Sequence, residues 1–326
     1  MICLAGPQRA HALMSAVANL LEGSGSLAGV HVVDNGDLLQ CPELAKTSVL
    51  VSTMIPCGAR EMDAMPALKA IVSPLLGYDW IDLEEATRRG IPVVNTEIPE
   101  SRQSMAEATV MLVLALLYRL RDTEAQLRVG AERVRGRKML KGRTLGIVGY
   151  GGISREIIRR LEPWQARLLV HTRTPPEAGE NVQFVSLEYL LHASDIVLLM
   201  TSLNDGNRHL LDRRLLRTMK PGVLLVNTAR GGLVDEAALV EALASGQVGA
   251  AALDVFEVEP LAKDHPLRRL PNVILTPHAV GHTDEALDAI PRMAAANVKQ
   301  LLAFRLPVSC KNRVIEAAWR ANSGSE

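Results

Sequence analysis

Apolar residues in this chain follow two alternating patterns. Some form short unbroken runs of branched and aliphatic side chains, and others recur every three or four positions, the spacing of one helical face. Ile2–Ala5, Val30–Val33, Ser48–Ser52, Ala70–Ser73 and Pro92–Asn95 are of the first kind and predict strands. His11–Leu21 and Asp82–Arg89 predict helices. Such alternation implies a parallel sheet covered by helices. The connector Glu97–Ser101 contains a proline, and the stretch Met105–Leu120 after it is apolar nearly all round. That predicts one long helix buried on several sides, between domains or against a second subunit. Asp122–Lys141 is charged and punctuated by glycine, as expected of a segment wrapping over the surface. The alternation then resumes, with strands at Thr144–Val148, Arg167–His171, Asp195–Met200, Val223–Asn227, Ala250–Asp254 and Val273–Leu275. Leu211–Thr218, Asp235–Ser245 and Asp284–Phe304 read as helices, and the tail Ala317–Glu326 is expected to fray.

A length of 326 residues suits two domains rather than one core. Lys plus Arg balance Asp plus Glu at 36 each, so no net field draws the chain to nucleic acid or an anionic membrane. The longest apolar run, Ala108–Tyr118, falls short of the ~20 residues that span a bilayer. The N-terminus lacks the basic start and long apolar centre of a signal peptide. Cys3, Cys41, Cys57 and Cys310 form no C-x-x-C pair, so neither a disulfide framework nor a metal site is expected. These features together predict a cytoplasmic protein.

Chemistry enters at Thr144–Leu161, TLGIVGYGGISREIIRRL. An apolar strand turns through Gly149, Gly151 and Gly152 into a stretch with helical spacing, the opening of a dinucleotide-binding βαβ unit. Glycines admit a sharp turn and close approach to a pyrophosphate, and the helix N-terminus offers unpaired N–H groups to it. The last glycine of the fingerprint is replaced by Ser154, small enough for that packing position. An NAD site places an acid at the end of the second strand to accept from the ribose 2′-hydroxyl. Here Thr172-Arg173-Thr174 stands there instead, an arginine between two hydroxyls, suited to a 2′-phosphate. NADP is therefore the expected cofactor, with NAD possible.

Ligands of such sheets sit beyond the carboxyl ends of the strands. Arg230 in NTARGG, Glu259 in LDVFEVEP and His278 in LTPH all fall there. Arg230 would hold the carboxylate of a 2-oxo acid and polarise its keto oxygen, and His278 would deliver a proton to that oxygen. Glu259 would orient the imidazole and favour its charged form. Taken singly, each has a plainer reading: a strand cap or partner of Asp235, a surface acid beside Glu257, a satisfied core histidine. Their joint occurrence at three strand ends of one sheet favours the functional reading.

SPLLGYDWIDLEEATRRGIPVVNT, GRTLGIVGYGGI, VNTARGGLVDEAALVEAL, LDVFEVEP and LTPHAVGHT, in this order, resemble the D-isomer-specific 2-hydroxyacid dehydrogenase family over nearly the whole chain. The resemblance implies an α/β fold of two doubly wound parallel-sheet domains with a cleft between them. Residues 1–98 with 285–326 would form a flavodoxin-like substrate domain, and 99–284 a Rossmann dinucleotide-binding domain. It implies Arg230, Glu259 and His278 as catalytic residues, and a substrate loop at Leu75-Leu76-Gly77 whose N–H groups grip the carboxylate together with Arg230. Ile153, Thr201, Thr228, Ala229 and Asp254 would join the glycines and the Thr172–Thr174 tip around the cofactor. Gly281 is added as a glycine that admits the nicotinamide closely. The reaction implied is NADPH-dependent reduction of a small 2-oxo acid, of the glyoxylate or hydroxypyruvate type, to the D-2-hydroxy acid (EC 1.1.1.-). A homodimer is implied too, supported by the helix from Met105. Alternatives are an NAD-dependent, phosphoglycerate-type dehydrogenase and a nucleotide-sensing corepressor-like binding protein. Leu75 stands where the family has a small residue, Ser101 where it often has Asn, and Ser202 where a proline is frequent. The pocket wall around Leu75, Tyr78, Arg102 and the loop before His282 would set substrate choice. His11, His31, His192, His209 and His265 are expected to be surface or packing residues.

Overall fold

The computed structural model describes residues 1–23, 27–33, 36–130, 136–176, 182–313, 316–317 and 319. Two compact units emerge: Met1–Ser101 with Thr283–Glu326, and Arg102–His282. The first contains β1 (Ile2–Gly6), α1 (His11–Leu21), β2 (Leu27–Val32), β3 (Val49–Ser52), α2 (Ala59–Asp63), β4 (Ala70–Val72), α3 (Leu83–Arg88) and β5 (Val93–Val94). Its sheet runs β2-β1-β3-β4-β5, with every pair parallel. A strand sends successive side chains to opposite faces, and β1 shows why its unbroken apolar run was needed. Ile2 and Leu4 join a core with Met14, Val17 and Leu21 of α1, whereas Cys3 and Ala5 join a second core with Ile55, Met62 and Ile71. α3 begins where the Asp82 carboxylate accepts the Glu85 N–H at 2.9 Å, a side-chain cap on an otherwise unpaired donor.

The second unit follows with α4 (Pro99–Leu117), which begins at the boundary, and α5 (Leu120–Arg128). Then come β6 (Thr144–Val148), α6 (Gly152–Leu161), β7 (Arg167–His171), β8 (Gln183–Phe184), α7 (Leu187–Ala193), β9 (Ile196–Leu199) and α8 (Arg213–Thr218). β10 (Val223–Asn227), α9 (Glu236–Ser245), β11 (Val248–Leu253) and β12 (Val273–Leu275) complete it. Seven parallel strands run β12-β11-β10-β9-β6-β7-β8. Ile196 and Leu198 face the core that also holds Leu112, Val113 and Leu116 of α4, while Val197 and Leu199 face the core under α7, α8 and α9. The order reverses beside β6, so its carboxyl end lies at a switch point, where α/β sheets bind ligands. α10 (Asp284–Leu302) returns to the first unit and packs Ala294, Ala295, Val298 and Leu301 with α1.

Several elements differ from the sequence reading. The helix expected over Met105–Leu120 begins earlier and breaks at Arg119, whose left-handed φ of 50° ends α4. α5 then leaves at 54°, so the start of the segment expected as a surface wrap, 122–128, is helical; residues 131–135 of that stretch lie outside the described ones. α4 is also less enclosed than its composition suggests, with Leu112 and Val113 buried but Met111 exposed. β8 and α7 lie in a stretch the pattern left unassigned, and so does α2. The fraying expected of the tail concerns residues that, apart from 317 and 319, lie outside the described ones; the Trp319 indole donates to the Lys69 carbonyl at 3.0 Å. Among the described residues, no single helix is long and apolar enough to cross a membrane.

Candidate active site

At the switch point, β6 and α6 are joined by the glycine turn. Gly149 has φ +111°, and a side chain there would meet the Met200 carbonyl oxygen at 2.5 Å, so glycine is needed on both counts. Gly151 caps α6, and nothing lies within 4 Å of the place its Cβ would occupy. Gly152 packs under Arg102, whose Cδ lies 2.7 Å from the corresponding position. Ile153 is half-buried, and Ser154 is buried, its hydroxyl without a hydrogen-bond partner among the described residues. A helix start with free N–H groups, behind a turn that leaves backbone uncovered, fits the diphosphate of a dinucleotide. β7 pairs with β6 in the register Val148↔His171, which puts Thr172, Arg173 and Thr174 just past the neighbouring strand end. Arg173 and Thr174 are exposed there.

Four further strand ends gather polar groups. Thr201, half-buried, follows β9. Asn227 closes β10, and its side chain shapes the next turn: Nδ2 donates to the Arg230 carbonyl at 2.9 Å and Oδ1 accepts the Ala229 N–H at 3.1 Å. The Arg230 guanidinium donates to the Ala229 carbonyl at 2.7 Å. Thr228 turns toward α4, 3.2 Å from the Thr109 hydroxyl. Past β11, the buried Asp254 gathers three donors on Oδ1: the Thr276 hydroxyl at 2.6 Å and the Ala279 and Val280 N–H groups at 3.0 and 3.2 Å. The chain between those donors is His278, in a left-handed conformation with φ 54°, which costs a non-glycine residue energy. Asp254 therefore holds both flanks of a strained turn that aims the imidazole. His278 Nδ1 lies 2.8 Å from Glu259 Oε2, and Glu259 Oε1 accepts the Phe256 N–H at 3.1 Å. One ring nitrogen is thus committed to a carboxylate and Nε2 remains for chemistry. Burial, together with the neighbouring His278, holds His282 below the usual histidine range. Gly281 has a packing reason for its lack of a side chain, since a Cβ would strike Met105 Sδ at 2.0 Å.

In the first unit, the Leu75–Gly77 loop is braced from inside. Ser73 Oγ donates to the carbonyls of Leu75 at 3.1 Å and Gly77 at 2.6 Å, Thr96 N–H donates to Leu75 O at 3.0 Å, and Asn95 Nδ2 donates to Leu76 O at 2.7 Å. In a planar trans peptide the N–H points opposite to the carbonyl. With the Leu75 and Leu76 carbonyls held inward, the N–H groups of Leu76 and Gly77 point outward, an arrangement suited to an anionic oxygen. Sequence reasoning missed the residues that build these turns: Asn227, Thr276, Ser73 and Asn95. Their signal was available, a hydrogen-bonding side chain at or just past the last strand residue.

Comparison with known proteins agrees with this geometry. Residues 110–280 match the family model "D-isomer specific 2-hydroxyacid dehydrogenase, NAD binding domain". A glyoxylate reductase of Thermofilum pendens is 38% identical, aligned over 79% of this chain and 78% of its own. The crystal structure of a glyoxylate reductase from Paecilomyes thermophila superposes with a TM-score of 0.84 at 28% identity, covering 96% of this chain and 99% of that one. An NADPH-dependent glyoxylate/hydroxypyruvate reductase from Sinorhizobium meliloti superposes with a TM-score of 0.80 at 28% identity, covering 95% and 97%. The glycine turn at the switch point, the strand-end polar groups and these matches lead to one conclusion: the chain belongs to the D-isomer specific 2-hydroxyacid dehydrogenase family, nicotinamide-dependent oxidoreductases.

Proposed function

We propose that this protein reduces a small 2-oxo acid, of the glyoxylate or hydroxypyruvate type, to the D-2-hydroxy acid with NADPH. The observation that carries the proposal is the Glu259–His278 contact of 2.8 Å at the same sheet edge as Arg230. The names of the relatives support the substrate class, since two are glyoxylate reductases and one acts on glyoxylate and hydroxypyruvate. The dinucleotide supplies a hydride to the keto carbon; the protein supplies the rest. Gly149, Gly151, Gly152 and Ile153 would hold its diphosphate end, and Thr172–Thr174 the 2′-phosphate. Thr201, Thr228, Ala229, Asp254 and Gly281 would line its nicotinamide end. The outward N–H groups of Leu76 and Gly77, in the Leu75 loop, would bind the substrate carboxylate, and Arg230 would hold the carboxylate and polarise the keto oxygen. As hydride reaches carbon, the carbonyl π pair moves to oxygen and takes the Nε2 proton of His278, giving the hydroxyl. Glu259 keeps the ring oriented throughout. General acid catalysis of this sort contributes roughly 10²- to 10⁴-fold.

Met1–Ser101 with Thr283–Glu326 is assigned as the substrate-binding unit and Arg102–His282 as the nucleotide-binding unit. Met111 of α4, Tyr118 in the break after it, and Leu120 and Leu127 of α5 are exposed, which supports a homodimer. The four cysteines are free and buried, in keeping with a reducing compartment such as the cytoplasm.

The test is oxidation of NADPH and of NADH, followed by nicotinamide absorbance, against glyoxylate, hydroxypyruvate, pyruvate and a bulky 2-oxo acid. Turnover with NADPH and the compact acids is expected. Turnover with NADH alone would remove the NADPH assignment, and preference for the bulky acid would remove the substrate class.

A further inference from the structure

Around the Glu259–His278 pair lies a second set of titratable groups that the reaction does not touch. Glu236, the first residue of α9, and Glu257, two residues before Glu259, exchange reciprocal hydrogen bonds. The Glu257 N–H donates to Glu236 Oε1 at 2.6 Å, and the Glu236 N–H donates to Glu257 Oε1 at 3.0 Å. Each carboxylate has a histidine beside it. His265 Nε2 lies 3.4 Å from Glu236 Oε2, and His209 Nε2 lies 3.1 Å from Glu257 Oε1. His265 Nδ1 accepts the Leu267 N–H at 3.4 Å, so a ring protonated at Nε2 serves both of its partners. Beside this knot, Gly231 rests directly on the Phe256–Glu257 peptide, where a Cβ would come within 1.9 Å of the Phe256 carbonyl carbon.

These contacts join two loops that a sheet alone would leave free of each other. One follows β10 and carries Arg230; the other follows β11 and carries Glu259. Two glutamates set side by side would be expected to repel, and a fold indifferent to loop register would have no need of them. We infer that Glu236 is a positioning residue: through its reciprocal bonds with Glu257 it fixes the Glu259–His278 pair relative to Arg230, while touching neither substrate nor cofactor. This rests on the roles proposed for Arg230, Glu259 and His278. His265, Glu257 and Glu259 are the titratable groups that face the Glu236 carboxylate, and His209 acts on it only through Glu257. Burial raises the Glu236 carboxyl above its ordinary range, so it takes up a proton at milder acidity than a surface glutamate does. Protonation weakens the acceptor for the Glu257 N–H and releases His265, loosening the joint on the acidic side.

The test uses Glu236→Ala, Glu236→Gln, Glu257→Ala and the Glu236→Ala/Glu257→Ala double variant. Turnover is measured from acidic to neutral pH, and NADPH affinity by protein fluorescence. A displacement of an ångström or less costs up to ~10²-fold in rate. Glu236→Ala is therefore expected to lower kcat by roughly tenfold or more with the NADPH Kd unchanged. Glu236→Gln, which keeps an acceptor for the Glu257 N–H, should recover most of kcat and flatten the acidic limb of its pH profile. The double variant should lose no more than the larger single loss, as two ends of one joint do. Wild-type kcat and pH profile in Glu236→Ala would overturn the inference. Parallel loss of NADPH affinity and kcat that Glu236→Gln does not relieve would also overturn it, marking a merely structural residue. His278→Ala run alongside separates the two levels: its inactivity with intact NADPH binding supports the site reading, whereas full activity would end that reading itself.

Discussion

The proposed preference for NADPH over NADH rests on a single arginine. Arg173 stands past the end of β7, exposed, with Thr172 and Thr174 on either side and no acid at the tip. A hydrogen bond to a charged group contributes about 1.5–3 kcal/mol. Arg173→Ala should therefore weaken NADPH binding roughly ten- to a hundredfold while leaving NADH nearly unchanged. Fluorescence titration of both cofactors checks this, and an equal loss for both would place the guanidinium elsewhere than at the 2′-phosphate. Individual residues differed in how legible they were. Arg230, Glu259 and His278 stand out because charged or titratable groups gathered beyond the ends of neighbouring apolar strands need a reason to be there. Asp254 was legible as the end of a strand and, through the family resemblance, as a residue beside the cofactor, but not as the brace of the His278 turn. That it bonds the amides on the far side of His278 depends on β11 and β12 being adjacent, which no local pattern encodes.

Among the elements, the two loops after β10 and β11 behave as one piece. Gly231→Ala would force a methyl into the Phe256 backbone, which no side-chain rotation relieves. Overpacking of this kind typically costs about 1–3 kcal/mol, so the urea midpoint should fall without a change in slope, and kcat should fall with it. A variant as stable as wild type would mean that the loops part easily. Most strands could be located from sequence because they are buried on both faces and so read as unbroken apolar runs. β8 could not, being two residues at the sheet edge, one exposed and one half-buried. α7 was missed too, although Ser186 accepts the Tyr189 N–H as a cap. The long helix was carried past Arg119 to Leu120, and α5 was taken for a surface wrap, because the break at Arg119 comes from a left-handed backbone at an arginine, where sequence offers neither glycine nor proline as a warning.

For the whole molecule, the exposed apolar residues of α4 and α5 bear on assembly. A homodimer predicts a particle of twice 35.3 kDa by light scattering on a sizing column. Leu120→Asp with Leu127→Asp should halve it, and a wild-type monomer would refute the dimer. The discontinuity of the first unit has its own consequence, one that concerns synthesis. The five-stranded sheet is complete once Val94 has emerged from the ribosome, yet α10, which packs on α1 and the strands beside it, is encoded after the entire second unit. At ~5–20 residues per second the wait is on the order of ten seconds or longer, with the core around Met14, Val17 and Leu21 lacking its α10 side meanwhile. The contiguous second unit meets no such delay. The order in which the units mature should therefore be the reverse of their order along the chain, and the nascent N-terminal sheet is the part most in need of a chaperone.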